Sequence, residues 1–205
     1  MIARGGHQFR FKLVRFSRSI FAKIHSLDSV WGRTYSWPFG YLTRRSAGMS
    51  VAELERDKRW MQHALAAARD ARERLEVPIG TCVVGGEILL AVAGNRTRTD
   101  CDPTAHAEIV ALREAARKAG NYRLTDVTVY STIEPCAMCA GALIQARVKR
   151  LVYGARDERA GAVESRFRIC DAPFLNHRIE LTAGVLEDEC REIMQEFFQD
   201  RRTSG

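Results

Sequence analysis

Two short segments constrain this chain more than any other feature: Thr104-Ala105-His106-Ala107-Glu108 and Glu134-Pro135-Cys136-Ala137-Met138-Cys139. Together they read H-x-E and P-C-x-x-C. One imidazole and two thiolates are ligands of the kind zinc takes in tetrahedral sites, and a catalytic zinc site keeps its fourth position open for water. Both segments sit at predicted helix starts, where unpaired N–H groups and the helix dipole favour negative charge and lower a thiol's pKa. The i, i+3 spacing puts Cys136 and Cys139 on one side of a first turn. Glu108, two residues past His106, can reach a water at the open position but is angled away from the ligand itself. A carboxylate placed so suits a general acid/base. Two plainer readings compete. A C-x-x-C pair also serves redox chemistry in thioredoxin-like folds, and a structural zinc site takes a fourth protein ligand. The nearest such ligands, Cys82 and Cys101, lack partner spacing. Catalytic zinc, one per subunit held by His106, Cys136 and Cys139, is the expectation.

The chain has 205 residues, 46% of them hydrophobic and 28% charged, enough for one domain with a real core. No apolar run approaches the roughly 18 residues that a membrane helix needs, so no membrane partner is expected. The net charge of +7 is unevenly placed. Residues 1–48 hold nine Lys or Arg against the single acid Asp28, a net of +8, which leaves −1 for residues 49–205. The folded part therefore has no global claim on nucleic acid, and any RNA site must be a local patch. Basic residues concentrated between Arg147 and Arg178 could supply one, or could be a solvated face balanced by nearby acids. Six cysteines with one motif pair, and no secretory signal ahead of them, favour a reducing compartment over a disulfide framework.

The composition breaks near Met49. Residues 1–48 read as a basic leader, expected to lack fixed structure and to contribute nothing to the folded core, and residues 49–205 as the folded domain. The leader is either upstream of a start at Met49 or a targeting segment. Its Leu13, Phe16, Ile20, Ile24 and Leu27 fall on one helical face among basic neighbours, as in a transit peptide. From Glu53 onward helical spacing takes over. Strands are expected at Ile79–Val84 and Glu87–Ala93 around a Gly85-Gly86 turn, with a polar loop from Gly94 to Asp102. Asp102-Pro103 is expected to start a helix over Ala105–Ala119. A strand at Asp126–Ser131 precedes a helix from Pro135 to Ala146. Strands at Arg150–Tyr153 and Arg178–Leu181 precede a last helix at Asp188–Gln199. That order describes one α/β domain, a central sheet with helices on its faces.

From Glu76 to Arg202 the chain resembles the bacterial-type tRNA-specific adenosine deaminases of the cytidine-deaminase-like superfamily. The matching stretches are residues 76–80, 102–109, 121–124, 132–144, 153–157, 176–178 and 197–202. The zinc core is common to the superfamily, whereas the flanking stretches and the Phe-Phe…Arg-Arg tail point to the tRNA branch. The resemblance implies a three-layer α/β/α fold with a mixed sheet of about five strands, a zinc-dependent homodimer, and hydrolysis of adenosine to inosine at wobble position 34 of tRNA. It implies Glu108 as the proton shuttle and His106, Cys136 and Cys139 as zinc ligands. Asn95 matches an asparagine that binds the target base, though a loop Asn also serves as a turn residue. Asp157, Asn176, His177 and Arg178 match regions lining the anticodon-loop groove. Phe198 matches an aromatic near the RNA, or is a core aromatic on an amphipathic helix. Gly94 stands where a larger residue often precedes the Asn, which could loosen the pocket wall.

The expected enzyme is thus a hydrolase acting on the C–N bond of a cyclic amidine, cytoplasmic, or organellar if the leader is a transit peptide. The rival enzyme deaminates a free base such as guanine or cytosine. The rival outside enzymes is a zinc-stabilised RNA-binding subunit without activity, which would have no use for Glu108.

Overall fold

A computed structural model describes residues 44–45 and 49–203. Helix α1, Val51–Glu73, starts at Ser50, whose hydroxyl accepts from Glu53 N while the Glu53 side chain returns to the Ser50 amide. This reciprocal cap satisfies two end groups that would otherwise lack partners. Strands β2 (Gly80–Gly85) and β3 (Ile88–Gly94) form the expected hairpin, with Gly86 at φ +61° in the turn. Then follow α2 (Ala107–Ala119), β4 (Val127–Ile133), α3 (Ala137–Gln145), β5 (Arg150–Ala155), β6 (Glu180–Ala183) and α4 (Glu187–Thr203). The left-handed Gly120 closes α2.

Five strands run in the order β6-β5-β4-β2-β3, with β4, β5 and β6 parallel and β2 antiparallel to both neighbours. A two-residue strand β1, Arg44–Arg45, pairs parallel with Thr182 and Ala183 and adds a sixth member at the β6 edge. At these two residues the leader departs from the expectation that it stays apart from the fold; the rest of residues 1–48 lies outside the described residues. Alternate strand residues feed two cores. Val83, Val129 and Leu151 pack with Ala111, Leu112 and Leu143 of α2 and α3. Cys82, Tyr130 and Val152 pack with Met61, Leu65 and Cys190 of α1 and α4. The layers are α/β/α, as the resemblance implies.

Close helix–sheet approach explains two glycines. A Cβ on Gly80 would lie 1.9 Å from the Ala64 carbonyl oxygen, and one on Gly94 would lie 2.5 Å from that of Ala67. Gly94 is therefore set by α1 packing, not by a loosened pocket wall. Between α1 and the sheet, fully buried Asp57 accepts from Tyr130 Oη at 2.9 Å and from Nη1 and Nη2 of Arg150 at 3.0 and 2.6 Å. The same guanidinium reaches Thr182 Oγ1 at 2.9 Å, so one fork ties α1, β4, β5 and β6. Removing one partner of such a buried pair leaves the other charge uncompensated. Asp57→Ala is expected to cost about 3 kcal/mol of unfolding free energy, read from urea denaturation at neutral pH. A loss under about 1 kcal/mol would show that the fork is not a structural tie.

Candidate metal centre

His106 and Cys136 are the N-caps of α2 and α3, and neither side chain makes a capping hydrogen bond. The expected start at Asp102-Pro103 is displaced by four residues. Asp102 spends its carboxylate on the amide and hydroxyl of Thr104, both at 2.7 Å, and so builds the turn before the helix. Strand β4 ends at Ile133, two residues beyond the expected end, and leads directly into Glu134-Pro135-Cys136. The site therefore sits at the carboxyl end of β4, where two helix N-termini converge.

Nδ1 of His106 lies 3.7 Å from Cys136 Sγ and 3.6 Å from Cys139 Sγ, and the three ligand atoms lie within 4.8 Å of one another. A tetrahedral centre with zinc-like bond lengths sets neighbouring N and S ligands roughly 3.5 Å apart. The donor set and its spacing fit such an ion. Hydrogen bonding from the Cys139 thiol, helped by His106, pushes Cys136 down to about 3. The same bond and burial push Cys139 up. Without a cation one thiol keeps its proton, because two thiolates at this range repel. Glu108 is 3% exposed and its Oε2 has no hydrogen-bond partner. Burial, and after it the Cys136 thiolate, raise its pKa, against the pull of its own amide and of His106. An orphaned buried carboxylate oxygen beside a metal-ligand set is costly unless something binds there.

Asn95 is buried, and its Oδ1 accepts from Ala107 N at 2.8 Å, fixing the first turn of α2 between His106 and Glu108. Asp157 lies in the loop after β5; its Oδ1 accepts from Arg159 N and Ala160 N. Asn176 and His177 lie farther off: the Asn176 carbonyl accepts from Arg147, and His177 Nε2 meets the Val148 carbonyl at 2.7 Å. Arg178 precedes β6 and lines a groove of about 750 Å³ with Arg56, Lys149 and Arg150. Since β4, β5 and β6 are parallel, that groove is at the end of the sheet opposite His106 and Cys136. Phe198 on α4 is exposed, edge-on to Phe197. Part of the basic stretch is engaged: Arg150, Arg156 and Arg168 pair with Asp57, Glu164 and Asp171. No described residue forms a disulfide, and all six cysteines are free.

Two carboxylates escaped the sequence reading. Buried Glu76 accepts from the Arg98 and Thr99 amides and from the Thr97 and Thr99 hydroxyls, pinning the loop next to Asn95. Burial raises its pKa, but the Thr99, Thr97 and Arg98 donors outweigh this and hold it below the ordinary value. Glu134 does the same for the loop after β5. Their one signal in the sequence is an acid embedded among apolar residues, Glu76-Val-Pro-Ile and Ile-Glu134-Pro.

Residues 55–202 match the MafB19-like deaminase family. The tRNA-specific adenosine deaminase of Haemophilus influenzae is 45% identical over 149 residues, 72% of this chain and 86% of that protein. The Agrobacterium fabrum protein of the same name is 46% identical, covering 70% and 94%. The chain belongs to the tRNA-specific adenosine deaminase family. A solved structure from a study of A-to-I editing by tRNA:A34 deaminases superposes on this family member with TM-score 0.64 at 46% identity, over 66% of this chain and 98% of that one. The guanine deaminase of Nitrosomonas europaea also superposes, with TM-score 0.58 at 27% identity, over 68% and 83%. No described helix of the deaminase is long and apolar enough to cross a membrane.

Each chain is expected to bind one zinc ion. Cys136→Ser should weaken binding by at least about 100-fold, the upper end of what outer-shell losses cost, and lower the thermal midpoint. Cys82→Ala and Cys170→Ala should leave stoichiometry unchanged. Competition with a coloured chelator reads both, and equal zinc affinity of the Cys136 variant would remove it from the ligand set.

Proposed function

We propose that this chain is a zinc-dependent hydrolase that converts adenosine to inosine at position 34 of tRNA. The observation that carries the chemistry is Glu108, buried, with an unpartnered oxygen, beside His106, Cys136 and Cys139. Identity to tRNA-specific deaminases well above that to the guanine deaminase carries the substrate. Zinc held by the three ligands supplies a Lewis acid that makes water reactive near neutral pH. Glu108 takes a proton from the attacking water and delivers it to a ring nitrogen as oxygen bonds to C6. It then takes the remaining proton from the hydroxyl on C6 and passes it to the exocyclic amine; the C6–N bond breaks, the C6 oxygen becomes a carbonyl, and ammonia leaves. Asn95 hydrogen-bonds the base through the nitrogen its α2 contact leaves unused. Asp157 and Phe198 contact the anticodon loop, and Asn176, His177 and Arg178 contact RNA away from the reacting base. The enzyme acts as a cytoplasmic homodimer, with residues 49–205 as the catalytic domain and residues 1–48 as a leader that joins it at Arg44–Arg45.

Glu108→Ala is expected to retain zinc and fold while losing at least about 10²-fold in turnover, the low end for a lost acid/base. The wobble base of tRNA incubated with pure protein should read as G on sequencing, and RNA binding should weaken as salt rises. Turnover of free guanine with none on tRNA would transfer the assignment to a free-base deaminase, and zinc-loaded protein idle on both would leave a binding subunit.

A further inference from the structure

Glu134 joins the last residue of β4 to Pro135-Cys136, and its carboxylate is turned onto the loop that follows β5. Oε1 accepts from the amides of Val163, Glu164 and Ser165 at 3.1, 2.7 and 2.9 Å. Oε2 accepts from Asp157 N at 3.2 Å and from the Ser165 hydroxyl. Backbone contacts follow the same seam: Ala162 N donates to the Pro135 carbonyl at 2.8 Å, and Cys136 bridges Gly161. Gly161 admits the carboxylate, because a Cβ there would lie 2.5 Å from it. Five donors on one 2% exposed carboxylate are far more than a surface acid collects. All of them come from residues 157–165.

We propose that Glu134 is a positioning residue: it clamps the 157–165 loop onto the Cys136 segment, so that a metal ligand and the loop bearing Asp157 are held in one frame. A substrate bound to the loop is then registered against the reacting centre. The kinetic part of this inference rests on the tRNA deaminase reading; the structural part does not. Alanine at this position removes every acceptor. Glutamine keeps one oxygen for the Val163–Ser165 amides but turns an NH₂ towards the Asp157 amide; the Ser165 hydroxyl can reverse and accept from that NH₂, so the clamp is undone at Asp157 alone.

Hydrogen exchange on the zinc-loaded protein tests the clamp directly. Glu134→Ala is expected to speed exchange across residues 157–165 by at least about tenfold while one zinc per chain remains. On a tRNA anticodon stem-loop, KM should rise about tenfold, the equivalent of one charge-assisted hydrogen bond, with kcat within about threefold. Glu134→Gln should release Asp157, leave the other three amides protected and give an intermediate KM; it carries the test if the alanine variant does not fold. Unchanged exchange in both variants overturns the proposal. So does a fall in kcat with zinc loss at constant KM, which would make Glu134 a support of the metal ligands alone. If the unaltered protein leaves tRNA untouched, the functional reading fails while the exchange pattern still decides the clamp.

Discussion

Two helix N-termini meet at the carboxyl end of β4, and both leave their caps unfilled. An N-cap side chain ordinarily turns inward to accept from an amide one turn ahead. Here the caps are His106 and Cys136, which instead face each other, with Cys139 one turn further along α3. Two sulfurs and the Glu108 carboxylate share this space. The helix dipoles offset part of that charge, and in the proposed function a divalent ion offsets the rest. The donor set suits a cation, and each piece of the fold that fixes α2 or α3 serves it.

The fixing is done mainly by buried acids acting on backbone amides. Irregular segments flank both helix starts, residues 96–105 before α2 and 156–179 after β5, and neither has a sheet ladder to absorb its N–H groups. Glu76 and Glu134 absorb them instead. Burying a carboxylate is unfavourable until it is fully hydrogen-bonded, which these two are. The loops so ordered have few alternative conformations, as a site that must hold reacting groups within fractions of an ångström requires.

The periodic parts of the fold were legible. Helical spacing after Glu53, the Gly85-Gly86 turn, and the alternating apolar residues of β4 located elements to within a few residues, since each reflects burial of one face. His106, Cys136 and Cys139 were legible because ligand chemistry restricts residue type and spacing together. What was not legible depends on partners distant in sequence. Asp102-Pro103 looks like a helix start, but Asp102 is spent on Thr104, and the cap passes to a histidine that no propensity scale favours. Glu134 is unremarkable until β5 returns alongside β4 and brings residues 157–165 to it. Gly94 looked like a gap in a pocket wall until α1 was in place.

Strand direction adds a constraint on the substrate. Parallel β4 and β5 place the metal ligands at one end and Arg178, with Lys149 and Arg150, at the other; six residues of β5 at ~3.3 Å each separate them by roughly 20 Å. A free purine seated by Asn95 and Glu108 reaches nothing at the far end. A folded RNA loop is large enough to lie along a subunit while one base is unstacked into the pocket. In the RNA reading, residues near Arg178 therefore act on affinity, and Asn95 and Glu108 on chemistry. The two groups are separable because the sheet holds them apart. With Arg150, Arg156 and Arg168 already paired to acids, fewer arginines of this stretch are left for phosphate, which favours recognition of loop shape over a broad electrostatic surface.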